Sequence, residues 1–393
     1  MRNACLTGVL FLVACSVGKP SGSNQPTDEQ VKAVLETYAE NLFAAYSDSV
    51  TDEQAFSSKV EAFLAAPTET SLATARASWV ASREHYMLVE GARFYDGAID
   101  VEPPNHEGAL NSWPLDEAYI DYTTNKATKA VDETAGLVNR VDLLPTITVD
   151  AIDSLNARGG DENISNGYHA QEFLLWGQAL EDVGPGKRPA TDYVVGGPRK
   201  NADRRASYLR VATMGVIQRL TLVRDAWAPN AVGRAQFTAS GKASLGLALT
   251  GLGKMSKGEL ASQRLNAAYA SKGRRDQHDC FSSETLLDYE RDARGLLMMY
   301  QGKYGSRTGP GIDSLVRVAN PDVDARLTKQ LQASIEAIVA IPKPFEASIV
   351  GDDKAPGRAA VRAAVVSLRA QGDLFAEAAS ALGITIQVPD ENK

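Results

Sequence analysis

Apolar residues recur at the spacing of an α-helix along nearly the whole chain, and this periodicity limits the possible folds more than any other feature. A capping-box sequence at 27–30 precedes the first such stretch, whose apolar face comprises Val31, Val34, Leu35, Tyr38 and Leu42. Only the segment 384–388 alternates apolar and polar residues in the manner of a strand. The sequence therefore predicts an all-α fold.

The periodicity also predicts where individual helices begin and end. The first helix is expected to end near Ser47, and the second to start after Thr68 and end before Gly97. Prolines, glycine and asparagines break the pattern from 103 to 122, which predicts a long irregular segment. Further helices are predicted around 209–227 and at 127–142, 148–158, 165–178, 231–250, 256–271, 283–303, 322–340 and 356–382.

A loop between two glycine and proline clusters, at 184–186 and 196–198, is the best candidate for a domain boundary. A chain of 393 residues can form two helical domains of ordinary size. We predict two packed helical-bundle domains, the first at 27–195 and the second at 196–388. Their similar sizes suggest a duplicated four-helix-bundle unit.

The N-terminus resembles a bacterial lipoprotein signal. A short apolar run ends in the sequence Leu12-Val13-Ala14-Cys15, in which small residues precede a cysteine that would receive the lipid. We predict a signal peptide at 1–15 ending at Cys15 and a flexible tether at 16–26. The alternative is an ordinary secretory signal in which the cysteine occurs by chance. Lipidation would place the protein in the cell envelope, periplasmic or surface-exposed, and at the outer membrane if the source has one.

Composition excludes several classes of protein. The net charge of −8 is spread over interspersed acidic and basic residues, without the basic stripe that a nucleic-acid backbone needs. A hydrophobic content of 44% is that of a globular protein and not of a multi-span membrane protein. The membrane is therefore expected to contact this chain through the lipid anchor only.

The segment 167–177 is the best candidate for a functional site. His169 and Glu172 lie three residues apart, on one face of a helix that is apolar all round at 173–176. Buried ionisable groups need partners, and an imidazole with a carboxylate can share a zinc or non-haem iron ion. A histidine hydrogen-bonded to a glutamate inside a purely structural scaffold is the alternative. The sequence lacks the His-Glu-x-x-His motif of the common zinc peptidases.

Other ionisable residues give weaker signals. Glu90 lies on an apolar stripe, where either metal ligation or a salt bridge to an arginine such as Arg83 would explain it. Three further histidines lie in polar sequence surroundings and are expected to be solvent-exposed: His85, His106 and His278.

The sequence Gly167-x-His169-x-x-Glu172, followed by Phe-Leu-Leu-Trp-Gly, resembles the signature of the imelysin-like proteins. Further matches to that family occur in its order between about residues 30 and 300. They are Arg76-x-x-Trp79 with Tyr86 and Glu90, Ile99-Asp100, Asn111-Ser112-Trp113-Pro114, Arg188-Pro189, Arg204-Arg205-x-x-Tyr208-Leu209 and Cys280-Phe281-Ser282. After this last match the chain has Ser283-Glu284-Thr285-Leu286, which differs from the family's usual residues there.

The resemblance implies two helical bundles with a metal site in the cleft between them. It implies His169, Glu172, Glu90 and Asp100 as ligands of a divalent or trivalent metal ion, iron in preference to zinc. A role in iron or haem uptake follows, with a metal ion or small metal carrier and an uptake transporter as partners. The alternative is a metal-dependent peptidase that uses the same site, since the family was first catalogued as metallopeptidases.

Cys15→Ser should release the protein from the membrane fraction into the soluble fraction, because the thiol that accepts the lipid is removed. Cell fractionation followed by immunoblotting measures this directly. Unchanged partitioning of the variant would contradict the lipid anchor.

Overall fold

The computed structural model describes residues 25–103 and 105–390. Within these residues the chain is helical apart from its loops and two short antiparallel hairpins, so the all-α prediction is confirmed. None of the described helices is long and apolar enough to cross a membrane. The predicted signal peptide, with Cys15, and nearly all of the tether lie outside the described residues.

The helices of the N-terminal half are α1 (Asp28–Ala65), α2 (Glu69–Ser82), α3 (Glu84–Met87), α4 (His106–Leu110), α5 (Glu117–Ile120), α6 (Val149–Asp153) and α7 (Gly167–Trp176). Those of the C-terminal half are α8 (Ala202–Ala226), α9 (Val232–Ala239), α10 (Lys242–Lys254), α11 (Ala267–Ser271), α12 (Thr285–Tyr300), α13 (Ile312–Ala319), α14 (Pro321–Val339), α15 (Phe345–Ser348) and α16 (Pro356–Ala381).

Short 3₁₀ helices occur at Glu90–Ala92, Ala190–Tyr193 and Arg274–Asp276. A π-helix, Met255–Asn266, joins α10 to α11. The hairpins pair β1 (Thr123–Thr124) with β2 (Val131–Asp132), and β3 (Lys303–Tyr304) with β4 (Arg307–Thr308).

The first helix is longer than its predicted end near Ser47. Its N-terminus has the predicted capping box, in which the Thr27 hydroxyl accepts from the Gln30 N–H and the Gln30 side chain accepts from the Thr27 N–H. The buried apolar face then continues through Val50, Phe56, Val60 and Phe63. That face packs against α2 and α8, and this packing stabilises α1 as far as Ala65.

The two halves of the chain share one core. In the C-terminal half α16 packs against α14, α10 and the π-helix, and α1 reaches across to α10 and α13. Buried apolar side chains of both halves consequently belong to one hydrophobic cluster. Duplication of a bundle unit is not confirmed, and the division into 27–195 and 196–388 stays a prediction.

The helix that carries His169 and Glu172, α7, is buried along its whole length. It packs against α2, α4 and α8. Gly167 begins the helix with φ +81°, and a Cβ there would lie 2.5 Å from the carbonyl oxygen of Leu110. Only glycine combines this left-handed conformation with so close an approach of another backbone segment.

The helix predicted at 127–142 is wrong, because side chains there satisfy the backbone in another way. The Asn125 side-chain oxygen accepts from the N–H groups of Ala127 at 3.0 Å and Thr128 at 2.9 Å. Such local bonds compete with helical hydrogen bonds and favour turns. The segment forms the loop of the β1–β2 hairpin and further turns.

Two other predicted elements also differ. The second helix ends at Ser82 and does not continue to residue 96, because Arg83 is fully buried and turns its guanidinium toward interior carboxylates. The segment 384–388 forms no strand, since no other described strand lies beside it to supply hydrogen bonds. Its apolar side chains Ile384 and Ile386 instead pack against the helical core.

Gly167→Ala should lower the free energy of unfolding by about 3 kcal/mol, because backbone strain and a steric clash with Leu110 add together. Urea denaturation measures the loss. Gly184→Ala is the matched control: its φ is +87°, but nothing lies within 4 Å of the added Cβ, so it should cost about 1 kcal/mol. If both variants lost the same free energy of unfolding, the close approach of the Leu110 backbone to Gly167 would make no contribution to stability.

Candidate metal centre

His169 and Glu172 contact each other inside the protein. Nδ1 of His169 lies 3.1 Å from Oε2 of Glu172, and the two residues are 2% and 0% exposed. Their three-residue spacing places both side chains on one face of α7. The pair therefore faces protein and not solvent.

A segment just before α12 brings two more ligand-type groups to this pair. Oδ1 of Asp279 lies 3.6 Å from Nδ1 of His169 and 3.6 Å from Nδ1 of His278. The three side chains are buried and can each offer one ligand atom within 4.8 Å of the others. The expectation that His278 is solvent-exposed is wrong, because it is 1% exposed.

Glu172 holds that segment in place. Its Oε1 accepts hydrogen bonds from the backbone N–H groups of Phe281 at 3.0 Å and Ser282 at 2.7 Å. Its other oxygen faces His169. One carboxyl group thus fixes the loop and places its second oxygen beside His169, although Glu172 is not itself one of the three residues whose ligand atoms lie within 4.8 Å of one another.

A buried arginine supplies positive charge beside the centre. Nε of Arg83 donates to Oδ2 of Asp288 at 2.9 Å, and its Nη2 lies 3.6 Å from Oδ1 of Asp279. The same oxygen of Asp288 lies 3.2 Å from Nδ1 of His278. Asp288 is therefore paired with Arg83, whereas Asp279 is only near it.

Asn111 determines which nitrogen of His278 carries hydrogen. Its Oδ1 accepts from Arg83 at 3.1 Å and its Nδ2 donates to Glu90 at 2.9 Å, so the orientation of the amide is fixed. Nδ2 also lies 3.3 Å from Nε2 of His278. That Nε2 must accept, which places the hydrogen of a neutral His278 on Nδ1, facing the carboxylates of Asp279 and Asp288. His169 is then the better placed imidazole ligand.

Burial sets the protonation of these groups. Burial, with a contribution from Arg83, lowers the pKa of His169 well below its usual range, and burial with Arg264 does the same to the pKa of His278. Burial raises the pKa of Glu172 to about 7, and burial with Asp288 raises the pKa of Asp279 well above its usual range. Neutral imidazoles thus stand beside two carboxyl groups that retain protons near neutral pH.

Glu90 lies next to this centre but is occupied by arginines. Its Oε2 accepts from Arg264 at 2.6 Å, and its Oε1 accepts from Arg93 at 2.9 Å and from Asn111. Burial opposes ionisation of Glu90, but these guanidinium groups outweigh it and lower its pKa to about 2. Glu90 therefore forms salt bridges, which is one of the two explanations that the sequence left open. Its partners are Arg264 and Arg93, and not Arg83.

The structure places Asp100 in a different environment. Its carboxylate accepts from the backbone N–H groups of Phe94, Tyr95 at 3.3 Å and Gly97 at 2.7 Å. These bonds close the turn that follows the 3₁₀ helix at Glu90–Ala92. Asp100 does not join the His169, His278 and Asp279 group.

The hydrogen bonding of the buried polar atoms at the centre indicates whether it could bind a cation. Nε2 of His169 and both carboxyl oxygens of Asp279 are buried and contact no fixed hydrogen-bond donor or acceptor among the described residues, although a protonated Asp279 can donate to Asp288. Buried polar atoms without fixed partners are costly, and a cation that displaced the protons of this group would satisfy them. Neutral imidazole and carboxylate oxygen suit non-haem iron or zinc. The residues present therefore fit a metal ion.

The helical fold and the buried histidine–carboxylate centre define a class of protein, and comparison with known families identifies it. The family model for imelysin matches residues 42–375, so the chain belongs to the imelysin family. Among curated proteins none matches this chain significantly.

Two solved structures have a similar fold. A protein named as an iron-regulated protein A precursor from Parabacteroides distasonis ATCC 8503 superposes with a TM-score of 0.66 at 17% identity, covering 89% of this chain and 96% of its own. An imelysin-like protein from Psychrobacter arcticum 273-4 gives a TM-score of 0.64 at 14% identity, covering 93% and 100%. At these identities the likeness concerns the fold alone.

Sequence reasoning found one side of this centre and missed the other. His169 and Glu172 were visible through their spacing, whereas His278, Asp279 and Asp288 were not singled out as site residues. A signal existed, because His278 and Asp279 immediately precede the Cys280-Phe281-Ser282 match to the family.

Glu172→Gln should change how stability depends on pH in the metal-free protein. The pKa of Glu172 is raised from 4.5 to about 7, so between these values the folded state holds a proton that the unfolded state has lost. The free energy of unfolding from this group falls as pH rises through that window. Glutamine does not titrate, so this decrease is absent in the variant. The free energy of unfolding of the variant, relative to that of the wild type, should therefore rise by about 3 kcal/mol between pH 4 and pH 8.

Urea denaturation across that pH range measures the difference. Glutamine can keep the accepting oxygen and the contact with His169, which makes it a close replacement. Glu336→Gln, an exposed position on α14, is the control and should give a constant difference from the wild type. A constant difference for Glu172→Gln as well would contradict a buried carboxyl that retains its proton.

Proposed function

We propose that this protein binds a metal ion at His169, Glu172 and Asp279, with iron preferred over zinc, and that it serves iron or haem uptake at the cell envelope. The buried imidazole of His169 and the buried carboxyl group of Asp279, whose polar atoms have no fixed partner, carry the proposal. Two carboxyl groups with one ligating imidazole form an oxygen-rich set, which favours a hard cation such as iron.

Carboxyl groups outnumber guanidinium groups around the centre. Seven carboxyl groups meet four guanidinium groups in the connected interior networks, while both histidines are held neutral. The carboxyl groups belong to Glu90, Glu107, Glu172, Glu259, Asp279, Asp288 and Asp292, and the guanidinium groups to Arg83, Arg93, Arg264 and Arg291. Burial raises the pKa of four of these carboxyl groups, Glu107, Glu172, Asp279 and Asp292, so protons balance the excess when no cation is bound. A cation at the centre would take the place of the protons on Glu172 and Asp279.

The proposed cation replaces protons. Glu172 and Asp279 hold their protons when no cation is present, and both must release them to act as ligands. Cation affinity should therefore rise with pH through the range in which Glu172 titrates. His278 and Arg83 would orient the two carboxylates. The positive charge of the bound cation would compensate the negative charges that Glu172 and Asp279 acquire when they release their protons.

Uptake is proposed because the structural relative from Parabacteroides distasonis is named as an iron-regulated protein. A lipid anchor at Cys15 would hold the centre at the membrane surface, where a metal ion or small metal carrier could pass to an uptake transporter. These partners and the location are parts of the same proposal.

Protein purified without chelator should contain about one metal ion per chain, and His169→Asn should lose it, because removal of a ligand weakens binding by at least about 100-fold. Elemental analysis by mass spectrometry measures the content and identifies the metal. His85→Asn is the matched control, since His85 pairs with Asp52 at 2.6 Å outside the centre. Equal metal contents in all three proteins, or none after reloading with iron, would overturn metal binding here.

The same preparations separate a binder from a peptidase. A binder should leave casein intact with metal restored, because the fold presents its candidate centre as an enclosed group. Cleavage by the wild type that disappears in Glu172→Gln would instead establish the peptidase alternative.

A further inference from the structure

A second candidate site lies beyond the C-terminal end of α7. A cavity of about 220 Å³ opens there, and its wall includes Tyr122, Gly177, Glu181, Lys187, Arg188 and Arg199. Gly177 follows Glu172 by five residues, which is about 7 Å along the helix axis. None of the wall residues belongs to the metal centre, so the two sites do not share side chains.

Arg188 is the innermost cationic group of this wall. It is 3% exposed, and its Nη1 donates to Oδ2 of Asp121 at 2.7 Å. Its Nε is buried and has no acceptor among the described residues. A Cβ at Gly177 would lie 3.3 Å from that Nε, so the glycine leaves open the space beside it.

Three guanidinium groups crowd around one phenol ring. The centres of Arg188, Arg199 and Arg205 lie 4.9, 4.9 and 5.3 Å from the ring centroid of Tyr122. Asp121 accepts from both Arg188 and Arg205, Asp192 lies 3.5 Å from Nη1 of Arg188, and Glu133 accepts from Arg199 at 3.4 Å. Three carboxylates therefore balance the three guanidinium groups, and the Nε–H of Arg188 is left as a buried donor without an acceptor among the described residues.

The rim adds further positive charge. Lys187 is exposed and forms no ion pair with any described residue. Glu181, also exposed, is the one acidic side chain of the described wall, against the three cations Lys187, Arg188 and Arg199. Because Arg188 and Arg199 pair with Asp121, Asp192 and Glu133 behind the wall, Lys187 and the Nε–H of Arg188 are the groups that remain to bind an anion.

We propose that this cavity binds a small oxyanion that bears carboxylate or phosphate groups. Guanidinium groups donate paired hydrogen bonds to such groups, and an ammonium at the rim adds attraction without fixed geometry. A cavity of this size accepts a molecule of a few carbon atoms but no large cofactor. The site is independent of the proposed metal site and of its function.

Titration calorimetry on metal-free protein tests this, with tricarballylate and inorganic phosphate as separate probes and all chelator removed beforehand. The wild type should bind one or both probes at millimolar concentration or below. Lys187→Gln and Arg199→Gln should each weaken binding about tenfold, the loss expected for one charge-assisted hydrogen bond. Both side chains are exposed or partly exposed, so the variants should fold.

Lys200→Gln is the matched control, because Lys200 is next in sequence to Arg199, is 75% exposed and lies outside the cavity wall. Its affinity should stay within about twofold of the wild type. Binding of phosphate alone would identify a phosphate-bearing ligand, and binding of tricarballylate alone a polycarboxylate. No binding of either probe, or equal affinity in all four proteins, would overturn the proposal.

Discussion

The carboxylate of Glu172 joins the two sides of the candidate metal centre. One oxygen accepts the N–H groups of Phe281 and Ser282, and the other faces His169. Because α7 is enclosed by neighbouring helices, these bonds form in a buried interior, where hydrogen bonds to carboxylates are strong. They place Asp279 and His278 against α7. Without them, His169 would face a different surface and the group of ligand-type side chains would not exist.

Arginine pairing divides four buried carboxyl groups at and beside the centre, those of Glu90, Asp288, Glu172 and Asp279, into two kinds. Glu90 and Asp288 accept from guanidinium groups, which hold the pKa of each carboxyl below its usual range despite the opposing effect of burial. Glu172 and Asp279 lack such a direct pair, and burial raises the pKa of each. The first kind stabilises the fold as ion pairs. The second kind remains available to a cation, which is how buried groups of one residue type acquire different roles.

The two ends of α7 lie next to groups of opposite charge. The face near its first turn carries His169 among acidic groups, whereas the loop beyond Gly177 leads to the cationic cavity around Arg188. Such a separation is possible because each charge cluster is neutralised locally by its own partners, as Asp121 does for Arg188 and Arg205. One fully buried helix therefore carries the candidate metal centre near its first turns and leads to the proposed anion site beyond its C-terminal end.

The sequence by itself determined whatever depends on neighbours within a few residues. Helical periodicity, the capping box at Thr27 and the shared face of His169 and Glu172 follow from helix geometry alone. Only the tertiary structure decided that 127–142 is not a helix and that His278 is buried. The loop that carries His278 is held by a bond from Ser282 to Glu172, 110 residues earlier in the chain. A contact at that separation forms only when the whole core packs, so no local pattern encodes it.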